Sequence, residues 1–385
     1  MPKRIAGALV CALLFVTGAG AAEAGGLEHE CTSWFVFADL TGNGTNLLHK
    51  NRDAKPRDLM PLASRADSPR KWIGLGNRAP DDPGDISVCM GMNSSGLAAV
   101  VNSGEVTVEP PLGPEGKMGT PKIIETCLAE CDTASQAVEK LRGILRARRY
   151  YHGRKGSIFL FMDTREAYIA EVTAKRCSAV RFDHGYAVRA NIWHNPDMAG
   201  VSDDTIGHWL NSRNREYMVI RSLNNTLRAQ KRIAVKDMLA ISRTSAVPEG
   251  SRAPGTVCSK STNSASTLEI DREYPDVLST GFFLIGPPRH TLCVPIPVCT
   301  EAYSPAMTGM HWSEAAWRSF DAKGFDAEIP PEWQKFEADS LRSYRAAQAK
   351  ARKLLASGRR DDAVKLLNGA AISIWDAAEK LLEID

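Results

Sequence analysis

Trp34–Ala38 is an unbroken apolar run and Asn46–Lys50 mixes apolar and polar residues; both are β-type segments, and Thr41-Gly42-Asn43-Gly44 lies between them. An Asn-Gly pair between two β-type runs predicts a β-hairpin, because both central turn positions must tolerate positive φ. Such a hairpin returns Lys50-Asn51-Arg52-Asp53 to the neighbourhood of Cys31. Further strands are expected at Ile86–Gly91 and Leu97–Asn102, with Met92-Asn93-Ser94-Ser95-Gly96 as their turn. A Pro/Gly-rich loop follows at Glu109–Gly116, and then the period lengthens to that of helices at 121–130 and 134–148, the second beginning beside the capping residues Asp132 and Thr133. Strand patterns return at Ser157–Met162, Ala167–Val172, Ala179–Phe182 and Ala187–Ile192. Helices are expected at 204–228 (with a break) and 235–243, and late strands at Thr262–Ile270 and Gly281–Ile285. Hairpin pairs separated by helix pairs predict an α+β fold of stacked antiparallel sheets with helices outside, four layers in all. The tail differs: Glu332–Ala356 and Asp361–Glu383 read as an amphipathic helical hairpin joined by Ser357-Gly358-Arg359-Arg360, expected to act as a structural cap.

The start of the chain reads as an export signal. Pro2-Lys3-Arg4 is basic, Ile5–Val16 is an apolar run, and Ala22-Glu23-Ala24 fits a small-x-small cleavage site. The run is shorter than the ~20 residues of a spanning helix, with a retained anchor as the alternative. The expected organisation is a signal peptide 1–24, a short propeptide 25–30, a main domain 31–325 and a helical extension 326–385, in a periplasmic or secreted protein.

Charge adds little. The 385-residue chain has a formal charge of +3, and removing Lys3, Arg4 and Glu23 leaves +2, so composition argues for neither nucleic acid nor a membrane partner after signal removal. A homo-oligomer is compatible with the composition. Of nine cysteines, Cys11 lies in the signal; the others are Cys31, Cys89, Cys127, Cys131, Cys177, Cys258, Cys293 and Cys299. In an oxidising compartment some are expected to pair, with Cys293 and Cys299 a candidate bridge across Val-Pro-Ile-Pro-Val, while Cys127 and Cys131 on one helix disfavour an internal bridge. Paired CxxC and HExxH spacings are absent, and neither metal nor cofactor is expected.

Cys31, just past the signal, is the candidate nucleophile. A thiol titrates near ~8.5 and an α-amine near ~7.7, so a cysteine that begins a chain carries its own base. The amine takes the thiol proton and returns it to the departing amine of the substrate. A peptide bond between Glu30 and Cys31 would abolish that basicity, so scission there is expected to be autocatalytic activation. The bland alternative is a disulfide-bonded Cys31.

Cys31-Thr32, Lys50-Asn51-Arg52-Asp53, Gly91-Met92-Asn93-Ser94-Ser95-Gly96-Leu97 with Asn102, and Arg189-Ala190-Asn191-Ile192-Trp193-His194 occur in the order found in the linear-amide branch of the Ntn hydrolases. That branch comprises choloylglycine hydrolases, penicillin V acylases and isopenicillin-N-acyltransferase-like cysteine amidases, and the chain resembles it over roughly residues 31–300. Ser212-Arg213-Asn214-Arg215 and Gly286-Pro287-Pro288 are weaker matches. The resemblance implies an αββα sandwich and an amidohydrolase acting on a small-molecule, linear, non-peptide C–N bond. It assigns Asp53 to hold the α-amine or orient the thiol, and Asn102 and Asn191 to supply oxyanion donors. Lys50 stands where the bile-salt relatives carry arginine, which leaves the cationic role open between Lys50 and Arg52. Arg215 is expected to pair with Asp53 or to stabilise the nucleophile, and Asn93 to be a turn residue. Trp34, Phe35, Phe37, Tyr151 and Trp193 are candidates for an apolar acyl pocket, with the core as the alternative for strand aromatics. An acyltransferase on the same fold and a non-catalytic exported binding protein are the competing functions.

Overall fold

The computed structural model describes residues 31–55, 58–78, 86–110, 112–204, 206–246 and 255–384. The expected signal peptide and propeptide lie outside the described residues.

The chain is mixed α/β with two antiparallel sheets. The first sheet has six strands: β1 (Thr32–Val36), β2 (Asn46–Asp53), β10 (Tyr186–Arg189), β11 (Thr262–Ile270), β12 (Thr280–Ile285) and β13 (Cys293–Pro297), ordered β10-β1-β2-β11-β12-β13. The second has seven: β3 (Met60–Ala63), β4 (Trp72–Arg78), β5 (Ile86–Asn93), β6 (Ala98–Val106), β7 (Lys155–Met162), β8 (Ala167–Val172) and β9 (Cys177–Phe182), side by side in chain order. Helices α1 (Thr120–Glu130) and α2 (Ala134–Arg146) lie between β6 and β7; α3 (Ile206–Gln230) and α4 (Val235–Ser242) precede β11. The turns α5 (Pro275–Leu278) and α6 (Pro305–Thr308) and the helices α7 (His311–Lys323), α8 (Pro331–Ala356) and α9 (Arg360–Leu381) complete the chain.

Alternation along the strands sorts the side chains into faces. One face of the seven-stranded sheet, with Ala99, Val101, Phe159 and Phe161, packs on Ile123, Ile124 and Leu128 of α1 and Val138 and Leu141 of α2. Its other face, with Met90, Met92, Val100, Ile158 and Leu160, shares a core with Phe35, Leu48 and Phe283 of the six-stranded sheet. Trp34, in the same cluster, lies on the opposite face of its sheet, toward α4: its indole N–H reaches Met238 Sδ at 3.2 Å, and its ring stacks on His49 at 4.1 Å. The strand aromatics are therefore core, with Trp34, Phe35 and Phe37 all at or below 3% exposure.

Three strands escape the sequence pattern. β3 and β13 contain Pro61, Pro295 and Pro297, and both are edge strands, where a missing N–H leaves no ladder bond unmade. β4 carries Gly74 and Gly76, which weaken a strand signal; a Cβ at Gly76 would meet the Ser87 carbonyl oxygen at 2.0 Å. The run expected as strand through Ile192 ends at Arg189. All eight cysteines among the described residues are free thiols, so the expected disulfides do not form. For Cys293 and Cys299 the reason is geometric: Cys293–Pro297 is extended and separates its ends by about 13 Å, beyond the span of a disulfide.

Helices α8 and α9 are pinned to the β11–β13 side. The Tyr344 hydroxyl lies 3.1 Å from Thr280 Oγ1, Trp375 Nε1 donates to the Pro295 carbonyl at 2.8 Å, and Arg345 pairs with the buried Glu269.

Candidate active site

The β1–β2 register pairs Ser33 with Lys50 and Thr32 with Asn51. Residues directly opposite in an antiparallel pair share a face, so Ser33 and Lys50 look toward the second sheet while Thr32 and Asn51 look toward α3 and α4. Cys31 stands one residue beyond this ladder, on the Ser33 side of the alternation. Lys50 and Arg52 sit two residues apart and share the inward face.

Cys31, Lys50 and Arg52 line a cavity of about 450 Å³ together with Asp53, Cys89, Asn102, Ser103, Thr120, Tyr151 and His152. Of the aromatics proposed for an acyl pocket, Tyr151 alone is on this wall; Trp193 is buried against Gly104 and Gly156, where an added Cβ would collide with its ring.

Lys50 is fully buried, and its ammonium donates to Val101 O at 2.7 Å and Asn102 Oδ1 at 3.0 Å. Asn102 is the hub: Oδ1 also accepts from Ser33 Oγ at 2.7 Å, while Nδ2 donates to the Arg189 and Ala190 carbonyls, both at 3.0 Å. Both amide hydrogens are thus committed to backbone, which makes Asn102 a brace between β1, β2, β6 and the 189–194 segment. Asn191 Nδ2 donates to Ser103 O at 2.7 Å, and its Oδ1 accepts from Arg215.

Arg215, fully buried on α3, grips the start of β1. Nη1 donates to the Cys31 carbonyl at 2.6 Å and Thr32 Oγ1 at 2.9 Å; Nη2 donates to Asn191 Oδ1 at 2.8 Å and Ser212 Oγ at 3.2 Å; Nε donates to Asn211 Oδ1 at 2.8 Å. The Asp53 carboxylate accepts from Thr262 Oγ1 at 2.7 Å and Ser259 Oγ at 3.0 Å, which ties the end of β2 to β11 and the loop before it. Arg52 stands apart. Its Nη1 is buried without a hydrogen-bond partner, and among the described residues its guanidinium forms no ion pair.

Asn93 is a turn residue, as expected: its Oδ1 accepts from Ser95 and Leu97 N–H at 3.0 Å, and its Nδ2 donates to Leu128 O and Cys131 O at 2.8 Å, closing the end of α1.

Sequence reasoning missed several contributors. Three buried carboxylates hold the 189–195 segment: Glu216 accepts from Ala190 N–H at 3.0 Å, Glu105 from Trp193 N–H at 2.8 Å, and Glu171 from His194 and Asn195 N–H at 2.9 Å. Nothing in their spacing signals this; they lie on β6, β8 and α3. Cys89 and His152 share the cavity wall. Burial pushes the Cys89 thiol up, and its Sγ donates to Leu75 O at 3.2 Å, so it stays neutral beside Cys31. Burial likewise pushes Cys258 and Cys299 up to about 12.

Among the described residues no cluster of three His, Cys, Asp or Glu side chains converges as a metal site, and no helix is long and apolar enough to cross a membrane.

No family profile and no curated protein matches the chain. Among solved structures it is similar to conjugated bile acid hydrolase from Clostridium perfringens, seen in two variants, with 14% and 15% identity over 69% and 71% of this chain and 92% and 94% of the other, at TM-scores of 0.45 and 0.46. It is also similar to penicillin V acylase from Agrobacterium tumefaciens, with 15% identity over 69% of this chain and 86% of the other, at a TM-score of 0.43. At those identities and scores the likenesses lend nothing to the chemistry here, which rests on the residues around Cys31.

Proposed function

We propose that this protein is an exported cysteine amidohydrolase of the N-terminal-nucleophile type, with an αββα sandwich and a C-terminal helical hairpin, that cleaves a linear, non-peptide C–N amide bond after scission before Cys31. The observation that carries this reading is that Cys31 opens onto a single cavity beside Lys50, Arg52, Asp53 and Asn102 while Arg215 clamps its carbonyl at 2.6 Å.

In this reading the freed α-amine of Cys31 takes the thiol proton, the thiolate attacks the substrate carbonyl, and the same amine protonates the departing nitrogen. Arg215 fixes the backbone of the nucleophile. Lys50 has three ammonium protons, and two are spent on Val101 O and Asn102 Oδ1; the third is the donor for the developing oxyanion, where one preorganised donor contributes on the order of 3 kcal/mol. Water then releases the acyl group. Asp53, braced by Thr262 and Ser259, sets the end of β2 against the amine.

His152 on the same wall supports a second reading, a thiol–imidazole pair that needs no free α-amine. Initial rates with a panel of N-acyl amides separate the two. The N-terminal-nucleophile mechanism predicts that Cys31→Ala is inactive while His152→Gln loses less than about tenfold, whereas a His152 base predicts a loss of at least about 10²-fold. Full activity in Cys31→Ala would overturn both.

A further inference from the structure

The outer face of α3 is unlike the rest of the surface. Among the described residues eight large apolar side chains are exposed, and five of them lie on this helix: Ile206, Trp209, Leu210, Tyr217 and Ile220. Ile206, Leu210, Arg213, Tyr217 and Ile220 recur at alternating intervals of four and three, so they form one stripe, with Trp209 at its side. Ile206 is 73% and Tyr217 56% exposed, and Val108, at 57%, sits by the start of the stripe with its N–H on the Val201 carbonyl at 3.0 Å. At roughly 200 Å² per side chain these six expose on the order of 600 Å², the size at which an apolar patch marks an interaction site. The opposite face of α3 carries Arg215 and its clamp on Cys31, so packing inside the fold does not account for the apolar side chains outside.

Charge decides what covers the stripe. Arg213 lies within it, its guanidinium over the Trp209 ring at 5.0 Å and 3.5 Å from Glu216, and Arg221 and Arg228 are exposed further along. Glu216 is the one acidic residue of the helix, and it is buried. The exposed face is thus apolar and cationic, with no carboxylate of its own. A second copy laid on it would set arginine against arginine with no acid to pair them. Anionic headgroups over hydrocarbon meet both halves: the apolar and aromatic side chains enter the headgroup boundary, and the arginines stay with the phosphates. The charge of +3 for the whole chain hides this arrangement, because it averages over acids elsewhere. The start of the stripe also adjoins the cavity rim. Gly153 lines the cavity; the next residue, Arg154, ion-pairs at 3.0 Å with Asp203, just ahead of Ile206, and its carbonyl accepts from Thr107 N–H at 2.8 Å, beside Val108.

We propose that the outer face of α3, with Val108, docks this protein on an anionic lipid surface, the helix lying in the headgroup layer and the cavity rim beside it. Docking does not depend on turnover, so it stands apart from the amidase reading. The test is co-sedimentation of the exported protein, its signal removed as judged by intact mass, with vesicles of two kinds. Phosphatidylcholine with about 30% phosphatidylglycerol is compared with phosphatidylcholine alone, each at low salt and at about 0.5 M NaCl. The wild type is expected to bind anionic vesicles at least about tenfold tighter than neutral ones, and to lose about that factor in high salt. Ile206→Gln combined with Tyr217→Gln should weaken binding at least about tenfold, while Val180→Gln, at an exposed apolar position on β9, should bind like the wild type. Arg221→Gln combined with Arg228→Gln should bind the two vesicles nearly alike. A wild type that binds neither vesicle, or both equally, overturns the proposal without any variant. Undiminished binding by a folded Ile206→Gln, Tyr217→Gln protein overturns it too. Light scattering without vesicles covers the other occupant: no vesicle binding, with a dimer that the same two substitutions dissociate, would identify a second copy instead. Initial rates on a soluble N-acyl amide keep the two readings distinct. Vesicle binding without turnover would sink the amidase reading alone, and turnover without vesicle binding would sink the docking face alone.

Discussion

Replacing Arg215 by methionine tests how far the nucleophile depends on α3. Among the described residues the guanidinium makes five hydrogen bonds, to Cys31 O, Thr32 Oγ1, Asn191 Oδ1, Asn211 Oδ1 and Ser212 Oγ. The two hydroxyls can turn to other partners, but three carbonyl-type oxygens in a fully buried place lose a donor. At about 1–1.5 kcal/mol for each, the loss is on the order of 3–4 kcal/mol, near the upper end for a point substitution. With an unfolding entropy of ~2 cal/mol/K per residue over a domain of this length, the midpoint of thermal unfolding should fall by roughly 4–5 °C. Activity should fall further than stability, because Nη1 fixes the Cys31 carbonyl and a displacement of ~1 Å at a reacting group costs about 10²-fold in rate. Arg215→Lys, which reaches at most part of this acceptor set, should lie between. Scanning calorimetry beside initial rates with an N-acyl amide makes the comparison. An Arg215→Met protein that melts with the wild type and turns over at the wild-type rate would refute the clamp.

Two pH-linked expectations follow from buried groups. Burial first of all, with the Lys50 charge adding to it, lowers His49 from 6.5 to about 3 against the opposing hydrogen bond that its Nε2 donates to Asn51 Oδ1; the unfolded chain therefore takes up a proton that the native state refuses, so stability falls as pH drops from about 6.5 toward 3, by a few kcal/mol in all. His49→Gln should flatten that part of the curve of urea midpoint against pH, and an unchanged slope would count against it. Burial opposes the ionised form of Glu269, but the Arg345 charge and hydrogen bonds from Arg345, Asn43 and Thr45 outweigh it and hold the carboxyl below its ordinary value. Its contribution is present above about 4.5 and lost as pH falls through the lower native value. Arg345→Met leaves that carboxylate buried with the neutral donors Asn43 and Thr45 but no cation, costs about 3 kcal/mol near neutral pH, and reverses the sign, so that the variant loses stability as pH rises through about 4.5; urea midpoints at pH 4 and pH 7 decide it.

What could be read along the chain was what local periodicity encodes. The β1–β2 hairpin and the return of Lys50 and Arg52 beside Cys31 follow from two β-type runs around a Gly/Asn-rich turn, and the structure has them, although residues 37–45 form a longer connection in which Gly44, and not Asn43, takes positive φ. The helices α1–α4, α8 and α9 were visible in their periodicity. The edge strands β3 and β13 were not, because proline argues against a strand everywhere except at an edge, and edge position is a property of the assembled sheet. The same limit applies to the site. The resemblance assigns Asn102 as an oxyanion donor, yet its amide hydrogens are committed to the Arg189 and Ala190 carbonyls, 87 and 88 residues away in sequence. Glu105, Glu171 and Glu216 looked like ordinary charged residues and turn out to be buried acceptors for one loop. Free cysteines were invisible as well, since pairing depends on distances that spacing does not give.

The central claim is that Cys31 becomes the first residue of the active protein. The mature N-terminus, read by intact mass and terminal sequencing after export from a suitable host, tests it most directly when the wild type is compared with Cys31→Ala. A wild type that begins at Cys31, beside a variant that retains the residues before position 31, is the predicted result. If both forms keep the same residues ahead of position 31, the α-amine never forms and the N-terminal-nucleophile mechanism is contradicted.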